Sequence, residues 1–314
     1  MNKIQYILLA VCALCLAVSC GEDDLIPSDH EKNWLVVEDN PNDALDHLRY
    51  EVFQKTGIPV YYNDTIGCEQ RTTLAGQPYT YYEVLQVFYN PGSATPSEKT
   101  ANYTLPQNRS EVLPVVEFLR DEVFPLLPAG MYVPSVLLTD TLNSASGTVA
   151  FKGLNTIVLS NVRRFASLDE QGRKAYRAAF LRAVVASSLM SFEEEWLEEN
   201  FFALTYAVNP DNLTYLYSTA TTRYMVYRAL SNFPLAEQKL STLGFIGAHP
   251  MTSPTMAERM KYVPEKSQDV SHYCEAIFAY PQEEFMAMHA NEPAVLAKYQ
   301  VMRQKLLQYG FELE

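Results

Sequence analysis

The chain has 314 residues, five cysteines, 48% hydrophobic residues and a formal net charge of −13. An acidic balance of this size repels nucleic acid and anionic lipid headgroups, both of which need clustered Lys and Arg, so nucleic acid is excluded as a partner. The length gives ample material for a large core, in one domain or two coupled lobes.

The first residues carry a positive charge at Lys3, an uncharged apolar run from Tyr6 to Val18, and then Ser19-Cys20-Gly21. This pattern reads as a signal peptide over residues 1–19, because the run is too short for a transmembrane helix of ~20 residues. Small Ser19 suits a peptidase groove and makes Cys20 the expected lipid acceptor; bulky Leu14 weakens Cys15, and Ala17 departs from the leucine usual three places before such a cysteine. An ordinary cleaved signal without lipid is the alternative. Gly21-Glu22-Asp23-Asp24 is similar to the acidic export tag of surface lipoproteins of Gram-negative bacteria, which implies an outer-membrane, lipid-anchored protein facing the medium. The competing reading is that these carboxylates only solvate a tether over residues 20–33. Cleavage would leave Cys68 and Cys274 in the folded part, to pair or to stay separate.

Beyond the tether, Asn40 and Pro41 read as the cap and first turn of a helix, with Ala44, Leu45, Leu48, Val52 and Phe53 on one face and Gly57 as its stop. Strands are expected at 58–62 and 81–89, both rich in aromatic and β-branched residues, with loop over 90–108. A helix follows from about Ser110 to Leu127. Further strands are expected at 133–139, 148–151 and 155–160, separated by the polar stretch Asn143 to Gly147. From Asp169 the pattern is almost wholly helical, from the long segment Gln171–Met190 to the closing segment Pro293–Tyr309. Residues 34–314 therefore read as α+β, strand-rich over 34–165 and helical over 166–314.

Several segments together resemble a family of substrate-import-associated zinc metallohydrolase lipoproteins encoded beside TonB-dependent importers. They are Lys55-Thr-Gly-Ile-Pro-Val-Tyr-Tyr62, Phe118 to Pro128, Ile157-Val-Leu-Ser-Asn161 before a long helix, Leu243-Gly-Phe-Ile-Gly247, Gln268-Asp269, and Lys298-Tyr-Gln-Val301. The resemblance implies a zincin-like scaffold, a small mixed sheet over an active-site helix. In that family the helix carries His-Glu-x-x-His, in which two imidazoles on one helix face grip a zinc and the glutamate takes a proton from metal-bound water. Here the equivalent positions hold Val184, Val185 and Ser188. Valine has no lone pair and a neutral serine hydroxyl is a poor zinc ligand. The family's downstream acidic motif appears as Gln268-Asp269-Val270-Ser271-His272, keeping Asp269 as the remnant of the third ligand.

His272 and Glu275, three apart on one helix, with His249 in a nearby loop, form a conceivable relocated metal site, although such spacing arises by chance and helical His and Glu are usually solvated. Glu193, Glu194, Glu195, Glu198 and Glu199 beside Trp196 read as a solvated helix face rather than glycosidase acids. Ser187 and Ser188 are expected to pack or to bond back to the main chain. Tyr79, Tyr81, Tyr82, Tyr215, Tyr217 and Tyr224 read as half-buried core or rim, and secondarily as platforms for sugars or peptides. The expectation is a non-catalytic surface lipoprotein without catalytic residues or cofactor, which binds a peptide or glycan or serves a TonB-dependent importer. An active zinc hydrolase with relocated ligands and a purely structural envelope protein are the alternatives.

Overall fold

The computed structural model describes residues 32–87, 102–143 and 149–313; Cys20 and His30 lie outside them. The chain divides into residues 1–34 and 35–314. In the first unit Lys32 Nζ sits 3.8 Å from the centroid of the Trp34 ring. Residues 35–314 are α+β.

Helix α1 (Ala44–Thr56) is capped by Asp43, whose carboxylate accepts from the backbone N–H groups of Leu45 and Asp46 at 3.1 and 3.0 Å. The expected cap, Asn40, instead accepts from Asp43 N–H through its carbonyl at 3.0 Å, so Asn40 and Pro41 form the turn before the helix. Both Asn and Asp are good caps, and the turn Pro41 favours delays the helix to the second of them. Gly57 ends it at φ 72°, a left-handed conformation natural to glycine.

Strands β1 (Val60–Tyr61), β5 (Val136–Leu138), β8 (Ile157–Leu159) and β7 (Ala150–Lys152) form a sheet in the order β1-β5-β8-β7, parallel except for the antiparallel edge strand β7. Side chains alternate between its faces. Val60, Val136, Leu138, Ile157 and Leu159 enter the main core, whereas Tyr61, Leu137 and Val158 join Leu85 and Val87 in a smaller core on the other face. Burial on both faces is why these strands read as unbroken apolar runs.

The hairpin of β2 (Thr65–Thr72) and β3 (Pro78–Val84) was only half legible, because β2 carries Gly, Glu, Gln and Arg. Cross-strand side chains hold it instead. Gln70 Nε2 donates to Thr80 Oγ1 at 2.9 Å and the Arg71 guanidinium lies 3.5 Å from the centroid of Tyr81. Tyr79 and Tyr82 are exposed there, not half-buried. Within the expected loop 90–108, β4 (Asn102–Thr104) pairs with β6 (Thr141–Asn143). Helix α2 (Arg109–Phe118) does not run evenly to Leu127; it passes into a π-turn at Leu119–Val123 and a 3₁₀ turn at Phe124–Leu126, where Pro125 ends regular bonding.

Helix α3 (Glu170–Phe192) is capped by Asp169, whose side chain accepts from Gly172 N–H at 2.7 Å. It is buried over Ala178–Ala186. One side meets β7 and β8: the Tyr176 hydroxyl donates to Ser160 O at 2.7 Å and Arg182 Nη2 to Ala150 O at 2.8 Å. Helix α4 (Lys266–Ala279) packs along it, with Arg182 of α3 paired to Glu275 of α4. Helix α5 (Pro293–Gln308) packs on α4. Between Pro210 and Met260 the chain is short 3₁₀ turns, one four-residue helix and irregular backbone rather than continuous helix. No described helix is long and apolar enough to cross a membrane.

Candidate functional site

Val184, Ser187, Ser188 and Ser191 recur at three- and four-residue steps and so share one face of α3. Together with Lys152 of β7, Ile157 of β8, the loop from Pro128 to Tyr132, Phe192 and Tyr309, they line a cleft of about 510 Å³. Val184 and Ile157 are buried, while Tyr132 is 77% and Phe192 83% exposed, so apolar surface runs from the interior out to aromatic rings. Ser188 Oγ donates to Val184 O at 3.2 Å, the back-bond expected of a helical serine. Tyr309 is fixed by donating to Glu193 at 2.9 Å, and Lys305 neutralises that glutamate at 2.8 Å.

Among the described residues, Lys152 is the only charged one lining the cleft. It has no hydrogen-bond or ion-pair partner among the described residues, and burial pushes its ammonium below the usual lysine range. The turn after it is rigid. Gly153 N–H donates to Thr156 O at 2.8 Å, and a Cβ on Gly153 would stand 2.7 Å from Val87 O, so only glycine fits.

The residues that the resemblance aligns with a zinc-binding motif do not fit zinc. Val184 and Val185 have no lone pair to offer, and Ser188 brings only a neutral hydroxyl, bonded back to Val184 O. Asp269, expected as the surviving third ligand, is fully buried and turned to another partner. Lys298, also fully buried, forms an ion pair with Asp269 Oδ2 and donates to Thr205 Oγ1 at 3.0 Å. The Tyr217 hydroxyl donates to the same Oδ2 at 2.7 Å. Rings of Phe201, Phe245 and Tyr273 surround the ammonium, their centroids 4.3, 4.9 and 5.3 Å away. Burial pushes the Asp269 carboxyl up and the Lys298 ammonium down, each opposed by the other's charge. Asp269 is thus a structural anion that ties α4 to α5.

His249, His272 and Glu275 have separate partners. His249 Nε2 lies 3.5 Å from Glu265, and its Nδ1 accepts from Met251 N–H at 3.1 Å. Glu275 pairs with Arg182 Nε at 2.7 Å. The His272 ring lies against Gly247, with Nδ1 buried and unbonded; burial first, then the Arg182 and Lys298 charges, push its pKa down to about 4. Among the described residues no three His, Cys, Asp or Glu side chains gather as a metal-binding group. Cys68 is exposed on β2 and Cys274 buried in α4, so both thiols are free. Burial raises the Cys274 thiol to about 12.

Of the acidic run, Glu193 and Glu198 form ion pairs with Lys305 and Lys266, while Glu194, Glu195 and Glu199 face solvent. Tyr217 is buried in the Asp269 network, and Tyr215 and Tyr224 pack edge to face at 5.1 Å. A second cavity, of about 490 Å³, lies at the other end of α3 near Glu170, Lys174 and Arg177. Its lining mixes both charge signs, and Lys174 and Glu170 pair at 3.1 Å.

Sequence reasoning missed Lys152. The strand it ends was expected to stop at Phe151, and the one available signal was a lysine interrupting an apolar run before a glycine. No protein-family profile matches this chain, and comparison with curated proteins and with solved structures yields no significant match.

Proposed function

We propose that this chain is a surface-exposed outer-membrane lipoprotein, anchored through Cys20, whose body is a zincin-like scaffold that has lost its zinc chemistry. It binds a peptide or glycan in the cleft beside Val184 and Ser188, alone or as an accessory to a TonB-dependent importer. The observation that carries the reading is that cleft: about 510 Å³ of space lies beside Val184 and Ser188, the positions that the resemblance aligns with a zinc motif. Cavities of roughly 300–1,000 Å³ with an apolar lining and few polar groups are the usual form of ligand sites. The zincin-like assignment is supported by α3 lying against a small mixed sheet with an antiparallel edge strand above the same helix face.

Two measurements test the reading. Radiolabelled palmitate is expected in the wild type and not in Cys20→Ala, and protease added to intact cells is expected to digest the mature chain. Purified mature protein is expected to hold far less than one zinc per chain and to show no chelator-sensitive peptidase activity. A stoichiometric zinc, lost on changing His249 or His272, would replace this reading with a relocated active site.

A further inference from the structure

We infer that the cleft beside Val184 takes an apolar carboxylate, with Lys152 as the group that recognises the anion. This deepens the proposed binding function and rests on it.

Three observations converge. Among the described residues Lys152 is the only charge lining the cleft, in a chain whose net charge is −13, so the positive charge there is local rather than part of a basic surface. It is half-buried and has no partner among the described residues, and no neighbouring carboxylate contributes to its electrostatics. A lysine withdrawn from water without an anion is an unfavourable arrangement, which a bound carboxylate would relieve by a charge-assisted hydrogen bond. The hydroxyls of Ser187 and Ser191, on the helix facing β7, have no hydrogen-bond partner among the described residues and remain as further donors.

The rest of the lining selects the body of the ligand. Val184, Ile157 and Met131 present aliphatic surface, and Tyr132 and Phe192 present rings at the mouth. A sugar buries many hydroxyls, each needing a partner, and this lining supplies few. A carboxylate on an apolar body needs one cation, one or two donors and an apolar surface, which is the composition found. Two sources share this chemistry: the C-terminus of a peptide ending in a hydrophobic residue, and a free aryl or alkyl carboxylic acid.

The test uses the full mature chain with Cys20→Ala, which removes only the acyl acceptor. N-acetyl-Leu-Leu as the free acid and as the amide, 4-phenylbutyrate and glucuronate are titrated by calorimetry. The acid is expected to bind at least tenfold more tightly than the amide. Lys152→Gln is expected to reduce acid binding to the level of the amide while leaving the amide unchanged, and Lys152→Arg to restore most of it. Stronger binding of the peptide acid than of phenylbutyrate identifies a peptide C-terminus; the reverse identifies a free acid. Equal binding of acid and amide, indifference of the acid to Lys152→Gln, or Lys152-dependent binding of glucuronate alone would overturn the assignment while leaving the cleft as a binding site. Failure of the cleft reading itself looks different: either no probe binds, or the peptide acid binds and Ser188→Trp, which fills the cleft, leaves that binding unchanged. Either result removes both.

Discussion

Lys298→Met isolates what the buried ammonium does, because methionine keeps most of the apolar stem among Phe201, Phe245 and Tyr273 and removes only the charge. Asp269 is then left fully buried with the Tyr217 hydroxyl as its remaining donor, and its Oδ1 already has no partner. Breaking a buried pair from one side typically destabilises by about 3–5 kcal/mol, since the other charge is stranded. The carboxyl can escape by taking a proton, and that sets a ceiling. An unfolded Asp has a pKa near 3.9, so holding it neutral in the folded state opposes folding by about 4 kcal/mol at pH 7 and about 1.5 kcal/mol at pH 5. The expected loss is therefore about 3–4 kcal/mol at pH 7 and less than half of that at pH 5, measured by urea unfolding at both pH values. Asp269→Asn added to Lys298→Met should abolish the difference between the two pH values. A loss under about 1 kcal/mol at pH 7, against the about 3 kcal/mol minimum for a stranded charge, would refute this account, as would a loss independent of pH.

Other consequences follow from the neighbouring residues. The pKa of His272 is depressed from 6.5 to about 4, so the folded state resists its protonation: the stability it contributes is complete above pH 6.5 and is lost as pH falls toward 4. In that window stability should fall by up to about 1.4 kcal/mol per pH unit from this group, and His272→Leu should flatten the slope in urea titrations at stepped pH. Gly247→Ala would place a Cβ 2.5 Å from the His272 ring, so it should destabilise by about 1–3 kcal/mol, and the penalty should shrink when His272→Ala opens the space. Val184→His with Ser188→His would put two imidazoles on the cleft face; weak zinc uptake without hydrolysis is expected by metal analysis and peptidase assay, because a catalytic zinc needs about three protein ligands and Asp269 is committed to Lys298.

The sequence by itself determined the parts of this protein that depend on local chemistry. The apolar periodicity of Gln171–Met190 located α3 within two residues of its ends, and the runs at 133–139 and 155–160 marked the shorter strands Val136–Leu138 and Ile157–Leu159. The chemical emptiness of Val184, Val185 and Ser188 toward zinc was likewise readable, since it follows from residue type alone. Where a strand owes its stability to partners across a hairpin, as Thr65–Thr72 does, composition gave no signal. The choice between Asn40 and Asp43 as cap also lay beyond it, because both fit and the turn geometry decided. Only the tertiary structure joined Asp269 to Lys298, 29 residues away along the chain, and Glu275 to Arg182 on another helix. It alone brought Lys152 from the end of an edge strand to the serine face of α3. The reason is physical: a periodic pattern records which side of an element is buried, whereas charge pairing and the lining of a cleft depend on which distant elements pack together, and that is set by the sum of contacts over the whole fold.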